Sequence, residues 1–162
     1  MAIRIYNLVR FFLLLLLCTL SLSCSFWQNR VALYAVRIDT VPNANDNTPI
    51  AVDIVAITDA SLISTIKVLS AAQWFNAKPQ LLRDAPGSLQ VWSLELVPGS
   101  HFISNENPLY GVPAKAIVLF ARYRSEGEHR LWLDKMDSLR LLLLTDEAVI
   151  APSQGKSYEH NS

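Results

Sequence analysis

The sequence is poor in the residues that build metal sites, disulfide frameworks and catalytic centres. Its 162 residues include only two cysteines and three histidines. His101, His129 and His160 are not within metal-ligand spacing of one another or of a cysteine. No G-x-S-x-G turn is present to expose a nucleophilic serine. We therefore predict no metal site, no cofactor and no catalytic residues, and we expect that the protein is not an enzyme.

The sequence also lacks an excess of charge of either sign, and beyond the N-terminal region it lacks an apolar run long enough to cross a membrane. Fourteen basic and fourteen acidic residues give a formal net charge of zero, so no basic surface predicts nucleic-acid binding. A membrane helix needs about 18–20 apolar residues. The most apolar stretch beyond the N-terminal region, at residues 139–144, is far shorter. We therefore expect the body of the chain to lie outside the membrane.

The N-terminus has the layout of a secretory signal. Arg4 and Arg10 precede an apolar run at residues 11–22, and small polar residues follow. The run fits the apolar region of a signal peptide, about 7–15 residues, and is too short to span a bilayer. The pattern predicts export from the cytoplasm.

Cys24 follows this leader directly. Cys18 lies inside the apolar run and would leave with it, so an internal disulfide is impossible. The segment LSLSC resembles the lipobox of bacterial lipoproteins, which implies that Cys24 takes a lipid after cleavage and that Ser25 favours sorting to the outer membrane. Ser21 and Leu22 depart from the usual lipobox pattern. A plain signal peptide with an incidental cysteine is the alternative.

Most of the remaining chain has the alternation and composition of short strands. β-Branched and aromatic residues recur in segments bounded by proline, glycine and asparagine. We predict strands at residues 31–39, 50–58, 89–96, 115–124, 129–134, 139–145 and 148–151. The first two are expected to pair side by side, and SEGE at residues 125–128 is expected to close a hairpin.

Helix is expected only in the middle of the chain. Ser70 and Gln73 have capping-box spacing and predict a helix that starts at Ser70, bends or restarts at Pro79 and ends before residue 85. Residues 59–69 fit either helix or strand, with helix preferred. Residues 40–49 and 101–113 are expected to be loops. The whole pattern predicts a mainly β protein, a β-sandwich with a small helical insertion.

The order of these segments resembles the outer-membrane lipoprotein of type VI secretion systems, the J subunit (TssJ/SciN/VasD-like). The resemblance rests on Cys24, on NANDNTP leading into PIAVDIVAI, on SAAQWFNAKPQLL followed by LQVWSLELVPGS, and on KAIVLFARYRSEGEHRLW. It implies a transthyretin-like β-sandwich hanging from the outer membrane into the periplasm. The implied organisation is a signal peptide at residues 1–23, a tether at 24–30, the sandwich domain at 31–151 and a flexible tail at 152–162.

The resemblance also implies a partner, the periplasmic region of an inner-membrane subunit of the secretion system. The contact would be made by the loop between the first two strands, with Asn43, Asn45, Asp46 and Asn47 as candidate residues. The family usually has glycine and arginine before the proline of this loop, where this chain has Asn47 and Thr48. The resemblance therefore implies a structural component of the secretion membrane complex.

A second hypothesis is a periplasmic lipoprotein that binds a glycan or another small ligand. Aromatic side chains dominate such binding sites. Trp74, Trp92 and Trp132 are the candidates, but each lies in an amphipathic segment, and core packing is the stronger explanation for them. Trp27 is close enough to Cys24 to rest at lipid headgroups. A hydrolase ranks last because the sequence offers no paired nucleophile and base.

Overall fold

A computed structural model describes residues 29–133 and 136–152. It contains eight strands and two α-helices within these residues. The strands are β1 (Ala35–Thr40), β2 (Ile50–Ile57), β3 (Leu89–Leu96), β4 (His101–Ser104), β5 (Ala116–Arg122), β6 (Arg130–Trp132), β7 (Ser138–Leu143) and β8 (Ala148–Ile150). The helices are α1 (Ile63–Lys67), preceded by a 3-10 turn at Ala60–Leu62, and α2 (Ala71–Asp84).

The strands form two four-stranded sheets that pack face to face. The first sheet has the order β4-β1-β7-β8, and the second has the order β3-β2-β5-β6. β1 and β7 run parallel, whereas every other pair is antiparallel. Helices occur between β2 and β3. The structure confirms the predicted mainly β class, a sandwich with a small helical insertion.

The two central strands of the second sheet, β2 and β5, are buried on both faces. On one side of β2, Val52, Ile54 and Ala56 belong to the core between the sheets, while Val55 and Ile57 contact the helical insertion. β5 divides in the same way. Burial on both sides explains why these two strands are almost continuously apolar rather than alternating.

The helical insertion is fastened to the second sheet through Asp53. This carboxylate is 1% exposed on β2 and accepts hydrogen bonds from Trp74 Nε1 at 2.9 Å and Lys78 Nζ at 2.8 Å. Trp74 also stacks on Phe120 of β5 with ring centroids 4.9 Å apart. A buried charge is tolerated only when it is paired and hydrogen-bonded, as Asp53 is. The contacts fix α2 against the sheet.

The predicted helix start is confirmed. Ser70 Oγ accepts from the Gln73 backbone N–H at 3.3 Å, and Gln73 Oε1 accepts from the Ser70 N–H at 2.9 Å. α2 continues through Pro79 to Asp84, so it does not restart at the proline. The segment at residues 59–69, open between helix and strand in the sequence, is helical over most of its length.

Several sequence predictions of strand placement were wrong. β1 begins at Ala35 rather than at residue 31. Buried side chains fall on odd positions before the strand, at Val31 and Leu33, and on even positions within it, at Val36 and Ile38. β1 and β2 lie in different sheets. Alternation of apolar and polar residues shows which side chains of a strand face the core. It does not show whether two strands are neighbours in one sheet or face each other across a sandwich.

The remaining differences concern connections. Residues 101–113 were predicted to be loop, but β4 pairs with β1 as a short edge strand. The predicted hairpin exists, with Val118 opposite Trp132, but its connection covers residues 123–129 rather than only SEGE. No helix within residues 29–133 and 136–152 is long and apolar enough to cross a membrane. The signal peptide, Cys24, Trp27 and residues 153–162 lie outside the described residues.

Candidate functional site: the loop pole

Four connections meet at one end of the sandwich. Thr40 of β1 lies beside Leu143 of the parallel strand β7, so the connections that follow these two strands leave the same end of the first sheet. In the second sheet, Ile50 pairs with Leu96 and Ala51 with Arg122. We call this end the loop pole, and it consists of residues 41–49, 97–100, 123–129 and 144–147.

The β1–β2 loop contains a left-handed turn. Asn45, Asp46 and Asn47 have φ values of 49, 54 and 58°. Asparagine and aspartate are the residues other than glycine that visit this region most readily, because their short polar side chains bond locally. The backbone N–H and the hydroxyl of Thr48 both donate to the Asn45 carbonyl, at 3.1 and 2.6 Å. The run of asparagine and aspartate therefore encodes a specific turn.

Asn45 joins this turn to the rest of the pole. Its side chain is buried, with the residue 5% exposed. Oδ1 accepts from the backbone N–H of Arg124 at 2.6 Å, and Nδ2 donates to Thr48 Oγ1 at 2.9 Å and to the Pro49 carbonyl at 3.2 Å. The Asn45 backbone N–H donates to the Thr145 carbonyl at 2.8 Å. One residue thus ties together three of the four connections.

Neighbouring contacts complete the pole. Asn43 Nδ2 donates to Thr145 Oγ1 at 3.1 Å, and the Gly99 N–H donates to the Val41 carbonyl at 3.2 Å. The Tyr123 hydroxyl lies 2.7 Å from the Glu147 carbonyl and 3.2 Å from that of Leu144. These bonds cross between connections that are distant in sequence, so we expect the loop pole to be held in one shape.

The candidate contact residues divide into two groups. Asn43, Asp46 and Asn47 are exposed, and their role in partner contact stays a prediction. Asn45 differs, because its side chain faces inward and all its bonds are made within the domain. In this structure the Asn45 side chain shapes the loop, and its role in partner contact, like that of the other three residues, stays a prediction.

The loop pole carries more acidic than basic side chains. Glu126, Asp146 and Glu147 line a concave region of about 490 Å³ together with Glu128 and Arg130, which form an ion pair at 2.7 Å. Burial raises the pKa of Tyr123 well above its usual range, and the charges of Asp146 and Glu147 raise it further. Within the described part of the chain, no group of histidine and carboxylate side chains could hold a metal ion.

A serine and a histidine approach each other here without forming a catalytic pair. Ser125 Oγ lies 3.4 Å from His129 Nε2, which is the outer limit of a hydrogen bond. The same nitrogen lies 3.0 Å from the Ser125 carbonyl, and Ser125 Oγ donates to the Asp146 carbonyl at 3.2 Å. Because His129 Nε2 donates to the Ser125 carbonyl, this nitrogen has no lone pair free to take the proton of the serine hydroxyl. The contact closes the β5–β6 connection.

Sequence reasoning missed Tyr123, Arg124 and Thr145 as parts of this pole. Arg124 contributes its backbone N–H and Thr145 its carbonyl and hydroxyl. Backbone groups leave no residue-type signal, and their meeting with residue 45 depends on the sheet arrangement. The tryptophans proposed for ligand binding are packed: Trp74 is fully buried, and Trp92 and Trp132 are half-buried against the two cores.

Comparison with known proteins gives different results for sequence and structure. No protein-family model and no curated protein matches the sequence. Solved structures do match the fold. The T6SS protein TssM C-terminal domain structure from EAEC aligns over 74% of this chain and 97% of the other, with a TM-score of 0.56 and 13% identity.

Two structures described as membrane-associated components are also similar. Serratia marcescens Lip, a membrane-bound component of the type VI secretion system, aligns over 74% of this chain and 96% of its own, with a TM-score of 0.51 and 13% identity. The T6SS lipoprotein TssJ1 from Pseudomonas aeruginosa aligns over 74% and 95%, with a TM-score of 0.50 and 15% identity. The described sandwich therefore has the fold seen in these secretion-system structures.

Proposed function

We propose that this chain is a periplasmic lipoprotein, anchored to the outer membrane through Cys24, that serves as a structural component of a type VI secretion membrane complex. Its loop pole binds the periplasmic part of an inner-membrane subunit. Three features support the proposal: the leader-like segment that precedes Cys24, the fold shared with secretion-system lipoproteins, and the position of the loop pole relative to Asn29.

The observation that carries the proposal is that the first described residues and the loop pole lie at opposite ends of the domain. The Asn29 carbonyl accepts from the Ala114 N–H at 2.8 Å, and the Lys115 N–H donates to the Ile57 carbonyl at 2.7 Å, so Asn29, the first described residue, lies at the far end of β2 from the loop pole. At about 3.3 Å per residue, the eight residues of β2 separate the two ends by roughly 25 Å. A tether at one end leaves the other end free to face a partner.

Lipid attachment at Cys24 explains how the chain is retained. Each buried methylene contributes about 0.8 kcal/mol, and more than one acyl chain makes anchoring stable. Cys24→Ala removes the sulfur to which the lipid would be attached. This change should abolish palmitate labelling and move the protein out of the outer-membrane fraction. Ser25→Ala is the matched control, because it leaves the sulfur in place. A Cys24→Ala protein that fractionates unchanged would remove the anchor from the proposal.

Binding at the loop pole requires only a modest interface. Anchoring both proteins in facing membranes raises their effective concentration, so a small polar contact suffices. Because the turn at residues 45–47 is held by internal bonds, little conformational entropy is lost on binding. The exposed side chains of Asp46 and Asn47 are the proposed contacts, with Asn43 beside them.

The test separates contact from folding. Asp46→Asn and Asn47→Gly alter the exposed side chains while keeping residues that tolerate positive φ. We expect the double variant to lose copurification of the inner-membrane subunit while its thermal unfolding is unchanged. Gln90→Ala, an exposed change on β3, is the control. Full copurification by the double variant would show that this loop is not the binding site.

The glycan-binding alternative has lost its main support. It relied on exposed tryptophans, and the three tryptophans within the described residues are packed against the cores. No other described feature favours it over an assembly role.

A further inference from the structure

The end of the domain opposite the loop pole carries a surface of its own. We call it the N-terminal pole, and it consists of residues 29–34, 105–115 and 136–137. The Val31 N–H donates to the Val112 carbonyl and the Gly111 N–H donates to the Val31 carbonyl, both at 2.9 Å. Asn107 Nδ2 donates to the Leu33 carbonyl at 2.7 Å. The first described residues are therefore bound to the long β4–β5 connection.

Two exposed tyrosines lie on this pole. Tyr34 is 51% exposed and Tyr110 is 62% exposed, and they are the aromatic residues among the large exposed hydrophobic side chains of the described chain. A cavity of about 500 Å³ on the same pole is lined by apolar side chains together with Arg30 and Lys115. Tyrosine prefers the membrane–water interface because its ring is apolar and its hydroxyl is polar.

The length of the tether constrains where this pole can lie. Cys24 is separated from Asn29 by only four residues, SFWQ. Five extended residue steps reach at most about 17 Å. Asn29 must therefore stay within that distance of Cys24, so the pole can reach the headgroup layer of the leaflet that holds the acyl chains. Trp27 of the same segment is also a residue type that favours this layer.

We propose that the N-terminal pole is a membrane-contact surface. Tyr34 and Tyr110 enter the headgroup region of the leaflet that holds Cys24, and the domain stands with its loop pole directed away from the bilayer. This inference rests on the proposed acylation of Cys24. It adds an oriented contact between the folded domain and lipid, where an anchor alone would leave the domain free to tumble.

The contact is aromatic rather than electrostatic. Glu106 and Asp137 are exposed on the same pole and offset the charges of Arg30 and Lys115. Added salt screens charge attraction but leaves aromatic partitioning intact. We therefore expect the contact to persist at high salt and to require no anionic lipid.

The experiment uses the mature acylated protein in vesicles of phosphatidylethanolamine and phosphatidylglycerol that contain a headgroup nitroxide lipid. Cleavage removes Cys18 and acylation blocks Cys24, so an added cysteine is the sole free thiol. A fluorophore on Pro108→Cys reports the N-terminal pole, and one on Val97→Cys reports the loop pole. We expect the probe at 108 to be quenched severalfold more strongly, in low and in high salt.

A second variant tests the tyrosines themselves. Tyr34→Ser together with Tyr110→Ser should lower quenching at 108 towards the level at 97, with thermal unfolding unchanged. Equal quenching at 108 and 97 in protein that floats with the vesicles would overturn the contact and leave the anchor standing. Unchanged quenching in the double variant would overturn the role of the tyrosines. Protein that does not float with vesicles would overturn both the contact and the anchor.

Discussion

Asn45 is the residue whose removal should disturb the loop pole most. In Asn45→Ala the Arg124 N–H and the Pro49 carbonyl lose their partner, as does Thr48 Oγ1. Each lost bond costs about 0.5–1.5 kcal/mol, and a buried group left unpaired costs about 1–3 kcal/mol. We expect the side-chain bonds to contribute about 2–3 kcal/mol to the free energy of unfolding. Alanine at φ 49° adds about 1 kcal/mol of backbone strain.

Asn47 supplies the matched control. It has φ 58°, so alanine meets the same backbone strain there, but its side chain is exposed and makes no hydrogen bond to the described residues. Urea unfolding of both variants gives the difference directly, provided that the m-value is unchanged. We expect Asn45→Ala to be less stable than Asn47→Ala by about 2–3 kcal/mol. Equal stability of the two variants would refute the structural role of the Asn45 amide.

Three further predictions concern other polar groups of the domain. Asp53→Ala leaves Lys78 and Trp74 Nε1 without their shared acceptor, and Lys78→Met leaves the buried Asp53 carboxylate without its counter-ion, so each change should lower the free energy of unfolding by about 3 kcal/mol, as measured by urea unfolding. Because the Tyr123 pKa is raised in the folded state, the native protein holds this proton more tightly and stability should fall as pH rises above 10.0, a slope that Tyr123→Phe should remove. The hydrogen bond from His101 lowers the pKa of Asp39, and Arg37 lowers it further. Asp39 therefore stabilises the fold at pH values above its ordinary pKa of 3.8, and this stability is lost as the pH falls through the lower pKa of the folded state. His101→Ala should raise the Asp39 pKa in a carboxyl-carbon NMR titration, and an unchanged titration would contradict this assignment.

The sequence predicted the elements whose physics is local. The capping box needs only Ser70 and Gln73, and both of its hydrogen bonds are formed. The apolar, β-branched runs of β2 and β5 likewise predict strands from local composition, without knowledge of which strands they pair with. The short edge strand β4 was missed because HFIS owes its conformation to pairing with β1 rather than to its own composition.

The candidate site was predictable only in outline. The Asn- and Asp-rich loop could be recognised from composition, because these side chains favour turns. Composition does not say which asparagine faces inward. Asn45 is buried because the sheet arrangement brings Arg124 and Thr145 to it, and those residues lie far along the chain. Long-range backbone contacts of this kind have no local sequence signal.

The two departures from the expected loop pattern have different consequences once the turn is known. At the position where the resembled family usually has glycine, Asn47 adopts φ 58°, so asparagine meets the same backbone demand that glycine would. Thr48 stands in place of the arginine, and its hydroxyl turns inward to the Asn45 carbonyl. The turn of this chain therefore has a backbone that glycine would also permit, and Asp46 is its charged side chain. Under the function proposed above, the partner surface must therefore be complementary to a compact turn of neutral and acidic side chains rather than to an arginine.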